Sequence, residues 1–166
     1  SLVDLGKIDT TNELADIDAG PVISNELIIV ASAIGKIVAI EKRSGIRVWE
    51  QAISTIETPT LVGNSVYVIS TNSELICLDK QTGKLQWVKS LIEEYGDRAK
   101  NRWFSPLITS DKLVIVGGDG MILRLDPYTG EIEKELKISH SPASRTIAYL
   151  NRLFILTRDS RIISFN

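Results

Sequence analysis

Short runs of alternating apolar and polar residues fill most of this chain. A period of two residues is typical of β-strands that bury one face. Between the runs lie turn-forming residues such as Asn25, Gly35 and the pair Ser44-Gly45. Only residues 92–101 carry helical spacing, over a turn or two at most. The pattern therefore predicts an all-β chain with one short helical segment.

One stretch, residues 39–49, returns twice in recognisable form. The second copy covers residues 77–87, at a shift of 38 residues, and the third covers residues 124–134, at a further shift of 47. The shared form is an apolar residue, an acid, two variable residues, Ser or Thr, Gly and, four residues later, Trp, which the third copy replaces with Lys134. A period near 40 residues indicates a repeat architecture.

Each repeated residue of the motif has a physical role in a hairpin. The acid and the Ser or Thr can hydrogen-bond the backbone of a tight turn, and the glycine (Gly45, Gly83 or Gly130) supplies a positive φ. Trp49 and Trp87 follow on the outgoing strand, where burial of the indole against a neighbouring repeat is favourable. We predict these five residues to be structural docking positions; a tryptophan that faces a ligand is the less favoured alternative.

Each repeat is predicted to form four short strands, as in a blade of a β-propeller. Blades of four antiparallel strands would lie at residues 20–57, 58–104 with an inserted loop, and 105–143, between a strand and loop at 1–19 and an incomplete blade at 144–166. Typical propellers have about 4–8 blades. These repeats do not close a ring alone, so we expect the chain to be part of a larger protein.

Composition limits the possible functions. A chain of 166 residues, 43% hydrophobic, can form one domain with a core. A formal charge of −2 argues against a nucleic-acid partner, which would need a basic face. Cys77 is the single cysteine, which excludes an internal disulfide and leaves the compartment undecided. No apolar run reaches the roughly 18–20 residues of a membrane span, and the N-terminus shows no signal-peptide pattern.

The turn motif at residues 39–49 and 77–87 resembles the repeat of the PQQ-enzyme-like propellers, many of which bind no quinone. Within them, the chain resembles the BamB family, the lipoprotein B subunits of the bacterial outer-membrane β-barrel assembly machinery. Residues 14–22 resemble that family's L-x-D-x-D-x-x-P-V motif. The insertion at residues 95–103 lies where alphaproteobacterial members carry a charged insertion, and residues 159–166 resemble the family's C-terminus.

This resemblance implies that the chain is the C-terminal half of an eight-bladed ring, in which the N-terminal strand of the whole protein fills the last blade. It implies a non-enzymatic scaffold, without a cofactor, at the periplasmic face of the outer membrane. The lipid anchor would lie outside this chain. The implied partners are the central barrel-assembly protein, bound through its POTRA domains, and unfolded outer-membrane proteins.

Asp16 and Asp18 are the first candidate partner-binding residues. They stand two apart on a short extended stretch, so both side chains can point the same way. The residues alone favour a solvated loop leading to Pro21. The resemblance implies that this pair docks the POTRA domains, where carboxylates facing basic residues would give register and association rate.

The insertion supplies the second set of candidates: Tyr95, Arg98, Arg102 and Trp103. Inserted loops on rigid scaffolds often carry binding, and Tyr, Trp and Arg are enriched at interface hot spots. The alternative is an ordinary solvated loop in which Trp103 and Phe104 fold back on the core, and the residues alone favour it. Because of its composition and its position between two repeats, we nevertheless predict that the insertion binds a partner.

Candidate chemistry for catalysis is sparse. His140 is the single histidine and lies in a predicted loop. No cysteine or histidine cluster has metal-ligand spacing, and the glycines at 117–120 join two predicted strands as a hairpin turn. We therefore predict no catalytic residue, metal or cofactor. The alternatives are a fragment of a PQQ-dependent quinoprotein dehydrogenase and a generic propeller sensor or binding domain.

The predicted strand at residues 2–8 belongs to none of the predicted blades, whereas the incomplete final blade lacks an outer strand. Two copies of the chain could each lend this strand to the other. We therefore expect a homodimer that closes a symmetric eight-bladed ring.

Overall fold

The computed structural model describes residues 19–33, 35–150 and 152–165. Asp16, Asp18 and the predicted strand at residues 2–8 lie outside the described residues. In the described part, strands pair antiparallel with their neighbours in the chain and form four separate sheets. The predicted all-β fold of antiparallel blades is confirmed.

The sheets follow one another along the chain. The first contains β1 (Val22–Ile23), β2 (Leu27–Ala31), β3 (Ile37–Glu41) and β4 (Arg47–Gln51). The second contains β5 (Thr60–Val62), β6 (Ser65–Ile69), β7 (Glu74–Asp79) and β8 (Leu85–Ser90). The third contains β9 (Leu107–Thr109), β10 (Lys112–Val116), β11 (Met121–Leu125) and β12 (Ile132–Lys137). The fourth contains β13 (Ile147–Tyr149), β14 (Arg152–Leu156) and β15 (Ile162–Phe165).

The predicted helical segment is also present, as the short helix α1 (Leu91–Tyr95) and a 3₁₀ helix (Gly96–Lys100). It lies between the second and third sheets in the chain and overlaps the predicted insertion at residues 95–103. From here on, the insertion means residues 91–104, which include both helices. Each sheet falls inside one of the predicted blades, although the exact blade boundaries stay a prediction.

The repeated turn is held by hydrogen bonds between its own side chains and backbone. In the second sheet, Asp79 Oδ1 accepts from the backbone N–H groups of Gln81 and Thr82 at 3.1 and 2.8 Å and from the Thr82 hydroxyl at 2.8 Å. The bonds from Thr82 lower the pKa of Asp79. Gly83 follows at φ 69°, in the left-handed region that glycine enters most readily. The turn is therefore fixed by its own side chains.

A bulge precedes this turn in three sheets. The strand register shifts between Ala39 and Ile40, between Cys77 and Leu78, and between Arg124 and Leu125, which are equivalent positions of the repeat. A bulge bends its strand and redirects the following side chains. Its recurrence shows that the repeat extends to the backbone geometry.

The core consists of layers between consecutive sheets. One face of the first sheet packs on the second through two sets of buried residues: Ile29, Ala31, Ile37 and Ala39, against Val66, Val68, Ile76 and Leu78. The opposite face of the second sheet packs on Leu113, Ile115, Leu123 and Leu125 of the third. The third packs Val114, Val116 and Ile122 on Leu153 and Ile155 of the fourth. Each inner sheet thus buries both faces, as stacked blades must.

Candidate interaction site

Trp49 of the first sheet contacts the repeated turn of the second. Its indole lies so close to Gly83 that a Cβ there would come within 2.6 Å of Trp49 Cδ2. Trp49 Nε1 donates to the backbone carbonyl of Lys80 at 2.8 Å, and Gln51 Nε2 donates to the carbonyl of Gly83 at 2.8 Å. The contact therefore joins strand β4 to the next sheet by apolar packing and by two hydrogen bonds.

Trp87 makes the equivalent contact one sheet further along. A Cβ at Gly130 would come within 2.6 Å of Trp87 Cε3, and Trp87 Nε1 donates to the carbonyl of Pro127 at 3.1 Å. The Tyr67 hydroxyl donates to the same carbonyl at 3.1 Å. The rings of Tyr67 and Trp87 lie 6.0 Å apart, within the range of aromatic pairs. Gly45 holds the same turn position in the first sheet, at φ 72°.

The insertion begins with a capped helix. Ser90 Oγ accepts from the backbone N–H of Glu93 at 3.3 Å, and Glu93 and Glu94 lie in the first turn of α1. A serine cap and acidic first-turn residues both stabilise a helix N-terminus. Gly96, at φ 57°, ends α1 and leads into the 3₁₀ helix. These local signals explain why this segment is helical in an otherwise β chain.

The inner side of the insertion is attached to the core. Leu91 and Ala99 are buried, and the Ala99 carbonyl accepts from the Ser73 hydroxyl at 2.7 Å and from Trp103 Nε1 at 3.0 Å. Trp103 is 4% exposed and packs between the second and third sheets. The indole is thus buried and its N–H is satisfied within the chain, and the partner-binding role of Trp103 stays a prediction.

Tyr95 links the insertion to the third sheet. Its hydroxyl donates to Glu135 Oε1 of strand β12 at 2.5 Å. Burial and this bond to a carboxylate raise the pKa of Tyr95 well above its usual value, because both favour the neutral phenol. Tyr95 is half-buried and the neighbouring Arg98 is exposed. Of the predicted insertion residues, Arg98 and Arg102 are exposed.

Arg102 contacts a buried carboxylate that the sequence reasoning missed. Glu57 Oε1 accepts from Arg102 Nε at 3.0 Å and from Nη2 at 2.8 Å. Glu57 Oε2 accepts from the backbone N–H and the hydroxyl of Ser105, both at 2.9 Å. The Glu57 side chain is 7% exposed, whereas that of Arg102 is 58% exposed and lies over the ring of Phe104 at 5.1 Å. We call these four residues the Glu57 cluster.

Alignment of the repeats places Glu57 at a position that is apolar in the neighbouring repeats. At the repeat shifts of 38 and 47 residues, Glu57 aligns with Ala19 and Phe104, both of which are buried. A carboxylate at a buried apolar position needs compensating donors. The aligned repeats would therefore have identified Glu57, although they could not have named its partners.

A cavity of about 350 Å³ opens between the insertion and the turn that joins β6 to β7. Ser70, Thr71, Ser73, Lys100 and Arg102 line it. Within residues 19–33, 35–150 and 152–165, no group of three or more His, Cys, Asp and Glu residues is arranged to hold a metal ion. The same part of the chain contains no helix with the length and apolar character of a membrane span.

Comparison with known families matches residues 4–159 to the family described as outer membrane protein assembly factor BamB. The chain belongs to the BamB family. This confirms the resemblance seen in the turn motif and in residues 14–22.

Relatives in the BamB family are distant and longer. The outer membrane protein assembly factor BamB of Escherichia coli (strain K12) is 22% identical over 154 residues, which cover 92% of this chain and 38% of the relative. That of Shewanella oneidensis is 25% identical over 150 residues, which cover 90% of this chain and 36% of the relative. The chain thus spans well under half the length of these relatives.

Solved structures show the same fold. The crystal structure of BamB from Moraxella catarrhalis matches with a TM-score of 0.78 at 18% identity, over 89% of this chain and 42% of that chain. Quinohemoprotein alcohol dehydrogenase from Comamonas testosteroni matches with a TM-score of 0.69 at 17% identity, over 85% of this chain and 29% of that chain. At such identities the likeness concerns the fold alone, and the BamB assignment comes from the family match.

Proposed function

We propose that this chain is a non-enzymatic scaffold for the assembly of outer-membrane β-barrel proteins, working at the periplasmic face of the outer membrane. The observation that carries this proposal is the family match over residues 4–159, with relatives that bear the name outer membrane protein assembly factor. Stacked sheets with short turns suit this role, because a rigid scaffold can present its connecting segments for recognition.

The first proposed contact is with the POTRA domains of the central barrel-assembly protein, through Asp16 and Asp18. This pair lies in the segment that resembles the family's acidic motif. We expect the two carboxylates, which stand two residues apart in the sequence, to face basic residues of the partner. Such complementarity mainly sets register and association rate, and it weakens as salt screens the charges.

The second proposed contact is the outer surface of the insertion, around Tyr95 and Arg98. The buried Leu91 and Ala99 hold this surface from beneath, and the Glu57 cluster fixes its end. Positioning by a rigid shell reduces the ordering cost of binding. Arg102, with 58% of its side chain exposed while bound to Glu57, would border this surface rather than lie at its centre.

Unfolded outer-membrane proteins are the proposed substrates. Strands β4 and β8 each lie at the end of their sheet, with no strand on their outer side among the described residues. An extended segment of a barrel precursor could add to such an edge by main-chain hydrogen bonds. The charged side chains on these strands, such as Arg47, Glu50 and Lys89, would keep such pairing weak and reversible.

Binding to purified POTRA domains tests the proposal directly. We expect the wild-type chain to bind, with affinity that falls as salt rises, in biolayer interferometry. Charge reversal of both Asp16 and Asp18 to Lys is expected to weaken binding about tenfold or more, the effect of a lost 1.4 kcal/mol. Arg98→Glu tests the insertion, and Arg158→Glu, at an exposed turn of the fourth sheet, is the matched control.

The outcomes separate the parts of the proposal. Absence of wild-type binding would contradict the scaffold role. Wild-type affinity in the Asp16 and Asp18 double variant would remove this pair from the contact, and equal losses in Arg98→Glu and Arg158→Glu would remove the insertion. A quinone chromophore in the purified protein would contradict the non-enzymatic assignment.

A further inference from the structure

The cavity of about 350 Å³ beside the insertion is formed in the middle of the described chain. All of its lining residues fall within 56–103, so the second sheet, the segment that precedes it and the insertion together form the walls. Ile69 and Trp103, which are buried, belong to these walls, and most of the other lining side chains are polar. Small-ligand sites enclose about 300–1,000 Å³. The cavity is therefore large enough for a small ligand or a short piece of peptide.

Arg102 is held in place at this cavity by contacts to its guanidinium. Its Nε and Nη2 groups donate to Glu57 Oε1 at 3.0 and 2.8 Å, and its Cζ lies 5.1 Å from the centre of the Phe104 ring. Glu57 is in turn held by Ser105, which donates twice to Oε2 at 2.9 Å. The Arg102 side chain is therefore ordered before a ligand arrives, and such pre-organisation reduces the entropy lost on binding.

One edge of the same guanidinium has hydrogen-bond donors to spare. An arginine side chain carries five N–H donors, and Glu57 accepts only from Nε and Nη2. Within residues 19–33, 35–150 and 152–165, Nη1 of Arg102 has no hydrogen-bond acceptor. The side chain is 58% exposed. Because a guanidinium binds carboxylates through paired N–H groups, these free donors indicate an anionic ligand.

Lys100 adds a second positive charge to the cavity. Its Nζ lies 2.6 Å from Asp97 Oδ1, but the two side chains are 67% and 91% exposed. Exposed pairs of this kind contribute little free energy, so a ligand carboxylate can share Lys100 with Asp97. The lining contains two positive side chains, Lys100 and Arg102, and one negative side chain, Glu57. Since the Glu57 side chain is only 7% exposed, an approaching ligand meets mainly the positive groups.

The backbone N–H groups of the turn that joins β6 to β7 are occupied. Those of Thr71 and Ser73 donate to the carbonyls of Ser54 and Ser70 at 2.9 and 3.0 Å, and that of Asn72 donates to Ser70 Oγ at 3.2 Å. Phosphate sites usually combine several free backbone N–H groups. With these groups occupied, the cavity suits the single charge of a carboxylate better than the double charge of a phosphate.

The remaining polar groups of the cavity fit a peptide backbone. The Thr71 hydroxyl and the side-chain oxygen of Asn101 form no hydrogen bond with the described part of the chain, and both residues are exposed. Ile56, which is 40% exposed, gives the cavity an apolar side. A peptide supplies N–H and C=O groups for Thr71 and Asn101 and a side chain for Ile56. A small inorganic anion supplies none of these partners except an acceptor for the hydroxyl.

We propose that this cavity receives an acidic segment of a partner protein, with one Asp or Glu side chain bound to Nη1 of Arg102 and close to Lys100. The peptide groups beside that acidic residue pair with Thr71 and Asn101. This site is distinct from the proposed POTRA contacts, because it is defined by the chemistry of its ligand and does not depend on which partner carries the acidic segment.

A pair of short peptides tests the chemistry of the ligand. The probe is Gly-Ser-Glu-Glu-Ser-Gly, acetylated and amidated so that only its glutamates are charged, and the control peptide has Gln in place of both glutamates. Titration of the 166-residue chain with each peptide, followed by ¹H–¹⁵N correlation spectra, reports both affinity and place. We expect the acidic peptide to shift the signals of Thr71, Asn101 and the Trp103 indole N–H. Its dissociation constant should be about tenfold lower than that of the control and should rise with salt.

Three variants identify the side chain that binds the peptide. Arg102→Gln removes the guanidinium and is expected to raise the dissociation constant about tenfold or more. Lys100→Gln removes the exposed second charge, so we expect a rise of about twofold to fivefold. Arg158→Gln, at an exposed arginine outside the cavity, is the matched control and should bind as the wild type does. Signals of the first sheet at their wild-type positions confirm that each variant is folded.

Several results would overturn the site. One is a wild-type chain that does not bind the acidic peptide at millimolar concentration, or that binds the Gln control equally well. Shifts confined to another part of the chain would place the peptide elsewhere, and equal affinities of Arg102→Gln and Arg158→Gln would exclude Arg102. Inorganic phosphate that shifts the same signals at a lower concentration than the peptide would assign the cavity to a phosphate ligand. A chain that binds the peptide as expected but no POTRA domain would contradict the scaffold role alone.

Discussion

Trp49 lies across Gly83, so closely that a methyl group on Gly83 would come within 2.6 Å of the indole. The contact joins the outer strand of one sheet to the repeated turn of the next. Glycine is needed there for two reasons: its φ is 69°, and a side chain has no space. The Gly and Trp of the sequence repeat are thus partners in neighbouring sheets rather than within one hairpin.

Gly83→Ala is expected to destabilise the fold more than Gly63→Ala does. Both glycines have a positive φ, at 69° and 57°, so both variants carry a backbone penalty of about 1 kcal/mol. A Cβ at Gly63 would meet nothing within 4 Å, whereas one at Gly83 would displace Trp49. The displacement adds about 1–3 kcal/mol. Urea unfolding of the two variants measures the difference, and equal losses would show that Trp49 moves aside freely.

Trp49→Phe is expected to cost more stability than Trp87→Phe. Each variant loses an indole N–H that donates to a backbone carbonyl, which is worth about 1 kcal/mol. The carbonyl of Pro127 keeps its bond from the Tyr67 hydroxyl in the Trp87 variant. The carbonyl of Lys80 loses its indole donor in the Trp49 variant. We expect losses of about 1–2 and about 0.5–1 kcal/mol, measured by urea unfolding; the reverse order would contradict this reasoning.

Local sequence signals predicted the strands, the turns and the stacking because they agree with one another. The alternating pattern, the Asp-x-x-Thr-Gly turn at residues 79–83 and the spaced tryptophans all favour one repeated sheet. Consistency between levels is what makes a sequence specify its fold. For the same reason, α1 was predictable from its spacing, and Ser90 is a recognisable cap.

The arrangement of the insertion depends on contacts that local signals do not contain. Arg102 meets Glu57 across 45 residues of chain, and Ser73 meets Ala99 across 26. An aromatic residue in a charged loop, such as Trp103, has the composition of a binding residue and of a core anchor alike. Its burial follows from the space between the second and third sheets, which only the packed structure defines.

Glu57→Ala is expected to destabilise the protein more than Arg102→Ala does. Glu57 is buried and accepts from both Arg102 and Ser105. Its removal leaves the partly buried N–H and hydroxyl donors of Ser105 without their acceptor, at a cost of about 1–3 kcal/mol. Removal of Arg102 leaves Glu57 with its Ser105 bonds. Because the Arg102 side chain is 58% exposed, solvent screens the pair, and we expect a loss of about 1 kcal/mol or less.

A double-mutant cycle on Glu57 and Arg102 provides the control. Urea unfolding of the two single variants and of the double variant separates the pair from the other contacts of Glu57. A coupling energy as large as the whole effect of Glu57→Ala would contradict the role given to Ser105. Arg98→Ala, at an exposed residue of the same insertion, is expected to leave stability unchanged.

Alkaline pH is expected to weaken the attachment of the insertion to the third sheet through Tyr95. Burial and the bond to Glu135 raise the pKa of Tyr95 above its usual 10.0. The folded protein therefore keeps the phenol proton at a pH at which the unfolded chain has lost it. The corresponding stability is present below about pH 10 and is lost as pH rises towards the folded pKa, by at most about 1.4 kcal/mol per pH unit.

Tyr95→Phe removes both the hydrogen bond and its titration. At pH 8, we expect the variant to be less stable than the wild type by about 1 kcal/mol, the net value of one hydrogen bond. As pH rises above 10, the wild type alone loses the Tyr95 contribution, so the difference between the two proteins should shrink. The contribution of Tyr67, whose pKa burial also raises, is common to both proteins and cancels in this difference. Urea unfolding at several pH values measures it, and a difference independent of pH would show that Glu135 does not hold the phenol in its neutral form.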